Sequence, residues 1–190
     1  MVKIQRNYLK VLGTCFVFGL AFYTNVIYGA DKEIKDTQRS YYTVNAVDET
    51  GSPMTRLSTE LQDWIYDMCA DYEIAGYERL IVAKLYCESS FRTDLKHTNK
   101  NGTTDSGIAQ INSCNHDRLK RELGVTDFMD AYQSIRCGVY MMAENLKRNG
   151  YDEEKALVAY NMGQGKVNSG ITSSKYSRRV ILIRNNLIPD

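Results

Sequence analysis

From Leu57 onward, apolar side chains return at three- and four-residue steps: Leu57, Leu61, Ile65, Met68 and Tyr72, with Ser58 placed to cap the start. That spacing lines one face of a helix and predicts a first helix ending near Tyr72. Gly76 interrupts the pattern, and Leu80, Ile81, Lys84, Leu85 and Glu88 then resume it, which places Glu88 in the last turn of a second helix. The stretch from Asp94 to Ser106 is polar and carries Asn99, Asn101, Gly102 and Thr103, so a short β-hairpin or an irregular loop is expected there. Further helices are predicted at about 115 to 123, 129 to 148, 153 to 161 and 175 to 187. The expected fold class is α+β, mostly α-helical, with a small β element.

The N-terminus reads differently. Lys3, Arg6 and Lys10 precede an apolar run from Val11 to about Ala30, the layout of an export signal. A cut after Ala30 would put the bulky Tyr28 where a small residue is preferred, and the run is nearly long enough to span a bilayer, so a cleaved signal and a retained anchor both stay open. Cys15 reads as part of this apolar segment. Residues 31 to 56 lack apolar periodicity and are expected to be a solvated linker, leaving 57 to 190 as the folded domain. The expected location is extracellular or wall-associated, with membrane contact only through the N-terminal segment.

Charge and cysteine narrow the function classes. The chain carries a formal charge of +1, and setting aside residues 1 to 30 removes three cations and no acids, leaving −2. Bulk attraction to nucleic acid is therefore not expected. Cys69, Cys87, Cys114 and Cys137 are an even set in a chain marked for export, which allows two disulfides or four reduced, buried thiols. If bridges form, Cys69 with Cys87 and Cys114 with Cys137 are the expected pairs. Zinc-ligand spacings are absent and His97 and His116 lie far apart, so no metal site is expected.

Breaking a glycosidic bond requires a carboxylic acid that stays protonated near neutral pH in a partly apolar setting. Glu88, at a helix end with Tyr86 and Phe91 as apolar neighbours, is the candidate, although a lone helical Glu is ordinarily a solvated residue. Its surroundings sharpen the reading: Glu88-Ser89-Ser90-Phe91 is followed by Thr104-Asp105-Ser106-Gly107-Ile108-Ala109-Gln110-Ile111-Asn112-Ser113. This resembles the active-site region of lysozyme-like glycosidases, with Asp105 at the place of the second carboxylate of animal-type lysozymes. A third block, Ala159-Tyr160-Asn161-Met162-Gly163 and then Lys175-Tyr176-Ser177-Arg178-Arg179-Val180, makes the ordered trio resemble bacterial lytic transglycosylases of the soluble-lytic-transglycosylase type, over roughly residues 57 to 187.

That resemblance implies a lysozyme-like domain acting on peptidoglycan glycan strands with Glu88 as acid and base. It implies no metal or organic cofactor, and its members include small enzymes that accompany conjugation and secretion complexes. It also implies that Ser89, Asp105, Gln110, Asn112, Tyr160, Asn161 and Tyr176 serve the substrate groove. Each has a plainer reading. Gln110 and Asn112 are also suited to tying a loop together, Tyr160 and Tyr176 to packing in the core, Gly163 to ending a helix, and Asp105 to a side-chain turn. The late basic residues Lys166, Lys175, Arg178, Arg179 and Arg184 read as a solvated helix face. Two rival functions remain: a hydrolytic muramidase that also uses Asp105, and a non-catalytic glycan-binding assembly protein.

Overall fold

The structure is a computed structural model that describes residues 39 to 44 and 55 to 189. The expected N-terminal signal or anchor and most of the expected linker lie outside the described residues. The chain divides into two units, Met1–Ser40 and Tyr41–Asp190, and every element below belongs to the second.

The element that organises the domain is the second helix, α2 (Glu78–Ser89), which follows α1 (Thr59–Asp71). Leu80, Ile81, Val82, Ala83, Lys84, Leu85 and Tyr86 are all buried. A helix covered on every side is a core helix, and each of its large apolar side chains contributes roughly 1.5–3 kcal/mol of burial. Truncating one of them, Leu85→Ala for example, would cost about 2–5 kcal/mol.

Around α2 the remaining helices form a shell: α3 (His116–Leu123), α4 (Ala131–Arg148), α5 (Glu153–Met162), the short α6 (Gln164–Asn168) and α7 (Lys175–Asn185). α2 packs on α1 and α7, α4 on α1 and α5, and α5 on α6 and α7. Local chemistry sets the helix starts. Ser58, Asp130, Asp152 and Ser174 each accept a backbone N–H at an N-terminus, and Ser174 forms a reciprocal capping box with Ser177.

Two small antiparallel sheets complete the fold. β3 (Lys96–Thr98), β4 (Thr104–Ser106) and β5 (Ile111–Asn112) make one of them, so the polar stretch is a hairpin with a third strand added. The other joins β1 (Tyr42–Val44) to β2 (Thr55–Arg56) on one side and β6 (Leu187–Pro189) on the other, with Thr43 opposite Arg56 and Ile188. Residues 42 to 44 and 55 to 56 fall within the stretch expected to be a linker. They are held by this pairing, by the burial of Val44, and by Gln62, whose amide bridges the Tyr42 and Leu57 backbone.

The four cysteines of the domain are unbridged, so neither expected pair forms. Cys114 is exposed on a turn whereas Cys137 is buried in α4, and Cys69 is buried in α1 with its thiol pushed up by desolvation and by the Glu78 carboxylate. Among the described residues no helix is long and apolar enough to cross a membrane.

Candidate active site

Glu88 arrives at the C-terminal turn of α2, and the chain leaves that helix through Ser90 at φ 52° and Phe91 at φ 65°. Two successive non-glycine residues in the left-handed region cost about 1 kcal/mol or more each. Local bonds hold them there. The Ser90 amide donates to the Tyr86 carbonyl at 2.8 Å, and the Phe91 ring meets Tyr86 edge-on with centroids 5.5 Å apart. Ser89 is buried and donates its hydroxyl to the Ile108 carbonyl at 2.8 Å, tying the helix end to the loop that carries Gln110. It stands behind the groove wall.

The electrostatics shift Glu88 toward its protonated form. Burial raises its pKa, the Lys84 charge and the Tyr176 hydrogen bond pull the other way, the Asp105 charge adds to the rise, and the net direction is upward. Tyr176, on α7, donates its hydroxyl to Glu88 Oε1 at 2.5 Å. Tyr160, on α5, donates to the Ala109 carbonyl at 3.0 Å. Burial and then the Glu88 charge hold both phenols well above their usual range, so both remain hydrogen-bond donors.

The β3–β4–β5 sheet presents Asp105 to the same space. Asn99 Nδ2 donates to Asp105 Oδ2 at 2.8 Å, and Asn112 Nδ2 donates to Asp105 Oδ1 at 2.7 Å. The Asn112 carbonyl oxygen also accepts from the Cys114 amide. Gln110 is left-handed at φ 48°, and its amide nitrogen donates to the carbonyls of Leu95 (3.0 Å) and Gly107 (2.8 Å). The loop-tying reading of Gln110 and Asn112 is therefore realised, and both side chains still face the groove.

One groove of about 1350 Å³ gathers Glu88, Asp105, Gln110, Asn112, Tyr160 and Asn161. Tyr176 reaches this group through Glu88. Across from them lies a charged wall that sequence reasoning missed. Arg118, 2.9 Å from both Glu122 and Glu144, lines the groove with those two acids and Arg148. Arg118 on α3 and Glu144 on α4 are distant in sequence and meet only in the folded chain, so no local motif signals the wall. Among the late basic residues, Arg184 pairs with Glu153 rather than facing the groove. Among the described residues, no cluster of three or more His, Cys, Asp or Glu could hold a metal.

A mostly helical α+β domain that brings a glutamate at a helix end and a small polar sheet to one groove has the lysozyme-like arrangement. The solved structure of an inactive mutant of the lytic transglycosylase Slt from Pseudomonas aeruginosa shares this fold, with a TM-score of 0.52 over 88% of this chain and 27% of that one at 16% identity. The family model for the transglycosylase SLT domain matches residues 70–181, and the chain belongs to that family. Its curated relatives include the invasion protein IagB of Salmonella typhimurium, 31% identical over 104 residues, and that of Salmonella typhi, 30% identical over 104 residues. Each alignment covers 53% of this chain and 63% of the relative.

Proposed function

We propose that the protein is a peptidoglycan lytic transglycosylase in which Glu88 is the acid and then the base. The observation that carries this reading is a carboxylic acid with a raised pKa, held by a tyrosine hydroxyl on Oε1, in a groove of about 1350 Å³ that it lines together with amide and phenol side chains. With Oε1 engaged, Oε2 carries the transferable proton. That proton passes to the oxygen linking N-acetylmuramic acid to N-acetylglucosamine as the bond from C1 to that oxygen breaks. Glu88, now a carboxylate, takes the proton of the muramic acid's 6-hydroxyl, and O6 closes on C1 as a 1,6-anhydro ring. No water is consumed, because a hydroxyl of the same sugar is already close to the reacting carbon.

Several neighbours support this assignment. Tyr176 steadies the carboxylate in both charge states. Gln110, Asn112, Tyr160 and Asn161 offer polar groups along the groove for the N-acetyl sugars. Asp105, with one amide donor on each oxygen, serves the groove as a hairpin-fixing and sugar-contacting group. The substrate lies outside the cytoplasmic membrane, so the reading requires export, which the N-terminal segment would supply. A wall-opening role beside a conjugation or secretion complex is the proposed setting, for a chain whose relatives are named for invasion.

The experiment is digestion of purified peptidoglycan by the full chain and by Glu88→Gln. Soluble glycan fragments released by the first and not by the second are expected. Equal release by both would reject Glu88 as the acid, and no release by the folded wild type would favour a glycan-binding role.

A further inference from the structure

Lys84 is fully buried, and its ammonium has no hydrogen-bond partner. An unpaired charge in a protein interior is expensive, so its presence in the most enclosed helix of the domain calls for a use. Its position is specific. Lys84 lies one helical turn before Glu88, on the same face of α2. Its Nζ sits 3.7 Å from the centroid of the Tyr160 ring, whose hydroxyl is fixed on the Ala109 carbonyl. On the α4 side the room is made by Gly138, where an added Cβ would stand 2.9 Å from the Ala109 Cβ and 3.5 Å from Lys84 Nζ. The cation is thus sealed beneath the groove wall that Tyr160 forms.

We propose that Lys84 is a positioning residue for the acid: its enclosed ammonium is the counter-charge that stabilises the Glu88 carboxylate once its proton has left for the glycan. This rests on the transglycosylase reading above. The charged and titratable groups around it are few. Glu88 and Cys87 of α2 act on it directly and the Tyr160 ring of α5 covers it, while Tyr176 of α7 and Asp105 of β4 act on Glu88, Arg179 of α7 on Cys87 and Cys137 of α4 on Tyr160. Arg179 acts on Cys87, and the phenols are held neutral, so Lys84 is the cation that acts on Glu88 from within. In an enclosed, weakly polar setting such a charge is felt strongly. Burial pushes Lys84 itself down to about 8, so it is charged at neutral pH.

Lys84→Met and Lys84→Gln in the full chain test the proposal by two readouts. The first is kcat and KM for peptidoglycan as a function of pH, and the second is the titration of the Glu88 side-chain carboxyl carbon by NMR in the resting protein. Without the cation, Glu88 becomes a weaker acid. The alkaline limb of kcat and the NMR midpoint should both move to higher pH, while kcat at neutral pH falls about three- to tenfold with KM unchanged. Because the replacements remove an unpaired buried charge, both variants should be at least as stable as the wild type below about pH 8. A Glu88 midpoint that stays put in either folded variant overturns the proposal, as does a fall in activity that only tracks loss of folded protein. A midpoint that moves in a protein whose wild type cleaves no glycan would overturn the transglycosylase reading and leave the electrostatic link between Lys84 and Glu88 standing.

Discussion

Replacing Gly107 by alanine tests whether the loop carrying Gln110 is built as described. Gly107 has φ +70°, and an added Cβ would lie 2.3 Å from the Phe128 carbonyl oxygen, 2.6 Å from Ser134 Oγ and 3.1 Å from Ser134 Cβ. The left-handed backbone alone costs an alanine about 1–2 kcal/mol. The overlap adds about 1–3 kcal/mol, since the nearest atom is backbone and cannot swing aside. Moving Ser134 also strains the bond its oxygen accepts from the Ala109 amide at 3.2 Å, worth about 1 kcal/mol. The total is roughly 3–6 kcal/mol, which for a chain of this size lowers Tm by roughly 6–24 °C.

Urea and thermal unfolding of the full chain would read it, with Gly76→Ala as the control. Gly76 is also left-handed, at φ +97°, but nothing lies within 4 Å of an added Cβ, so only the backbone part should appear there. If Gly107→Ala cost no more than Gly76→Ala, the close approach of this loop to Phe128 and Ser134 would be refuted, and with it the account of how Gln110 is aimed.

Other outcomes follow from the site. Tyr176→Phe removes the hydrogen bond that holds Glu88 Oε1; bonds to charged groups are worth about 1.5–3 kcal/mol, so glycan cleavage should fall by roughly tenfold to a hundredfold and its alkaline limb should move up. Wild-type rates in that variant would remove Tyr176 from the account. Asp105→Asn keeps the shape but turns an NH2 donor toward one of the two donating amides, Asn99 or Asn112, so urea unfolding should show a loss of about 1–3 kcal/mol while the product remains an anhydro sugar. A switch to reducing ends would instead mark Asp105 as a reacting group. In the folded protein, iodoacetamide should label Cys114 well before Cys69, Cys87 and Cys137, because burial pushes Cys87 and Cys137 up to about 11 and Cys69 higher still. Non-reducing mass spectrometry showing a Cys114–Cys137 bridge would contradict that order.

The helices were legible because their apolar faces repeat at helical spacing, and the first of them also because Ser58 stands at its start. The strands β1, β2 and β6 were not. They are two or three residues long, too short for alternation to show, and β1 pairs with β6 across more than a hundred positions of sequence. α6 spans only Gln164–Asn168, little more than one turn, and was missed for the same reason. At the site, three motifs separated in sequence meet on one groove, and the resemblance they carry located Glu88, Asp105, Gln110, Asn112, Tyr160 and Asn161 together. Lys84 sat in the periodic pattern of α2 yet carried no chemical signal, since a lysine at a core position looks like an ordinary helix residue until its burial is seen. Ser89 was legible as a motif member, but its bond to Ile108 depends on how the loop folds back.

The most direct measurement of the central claim is the identity of the product. Purified peptidoglycan digested by the full chain and by Glu88→Gln would be analysed by mass spectrometry of the muropeptides, before and after borohydride reduction. Glu88-dependent fragments lower in mass by one water and inert to borohydride are the result this account predicts. Reducible N-acetylmuramic acid ends would contradict it, showing that water rather than the sugar's own hydroxyl completes the reaction.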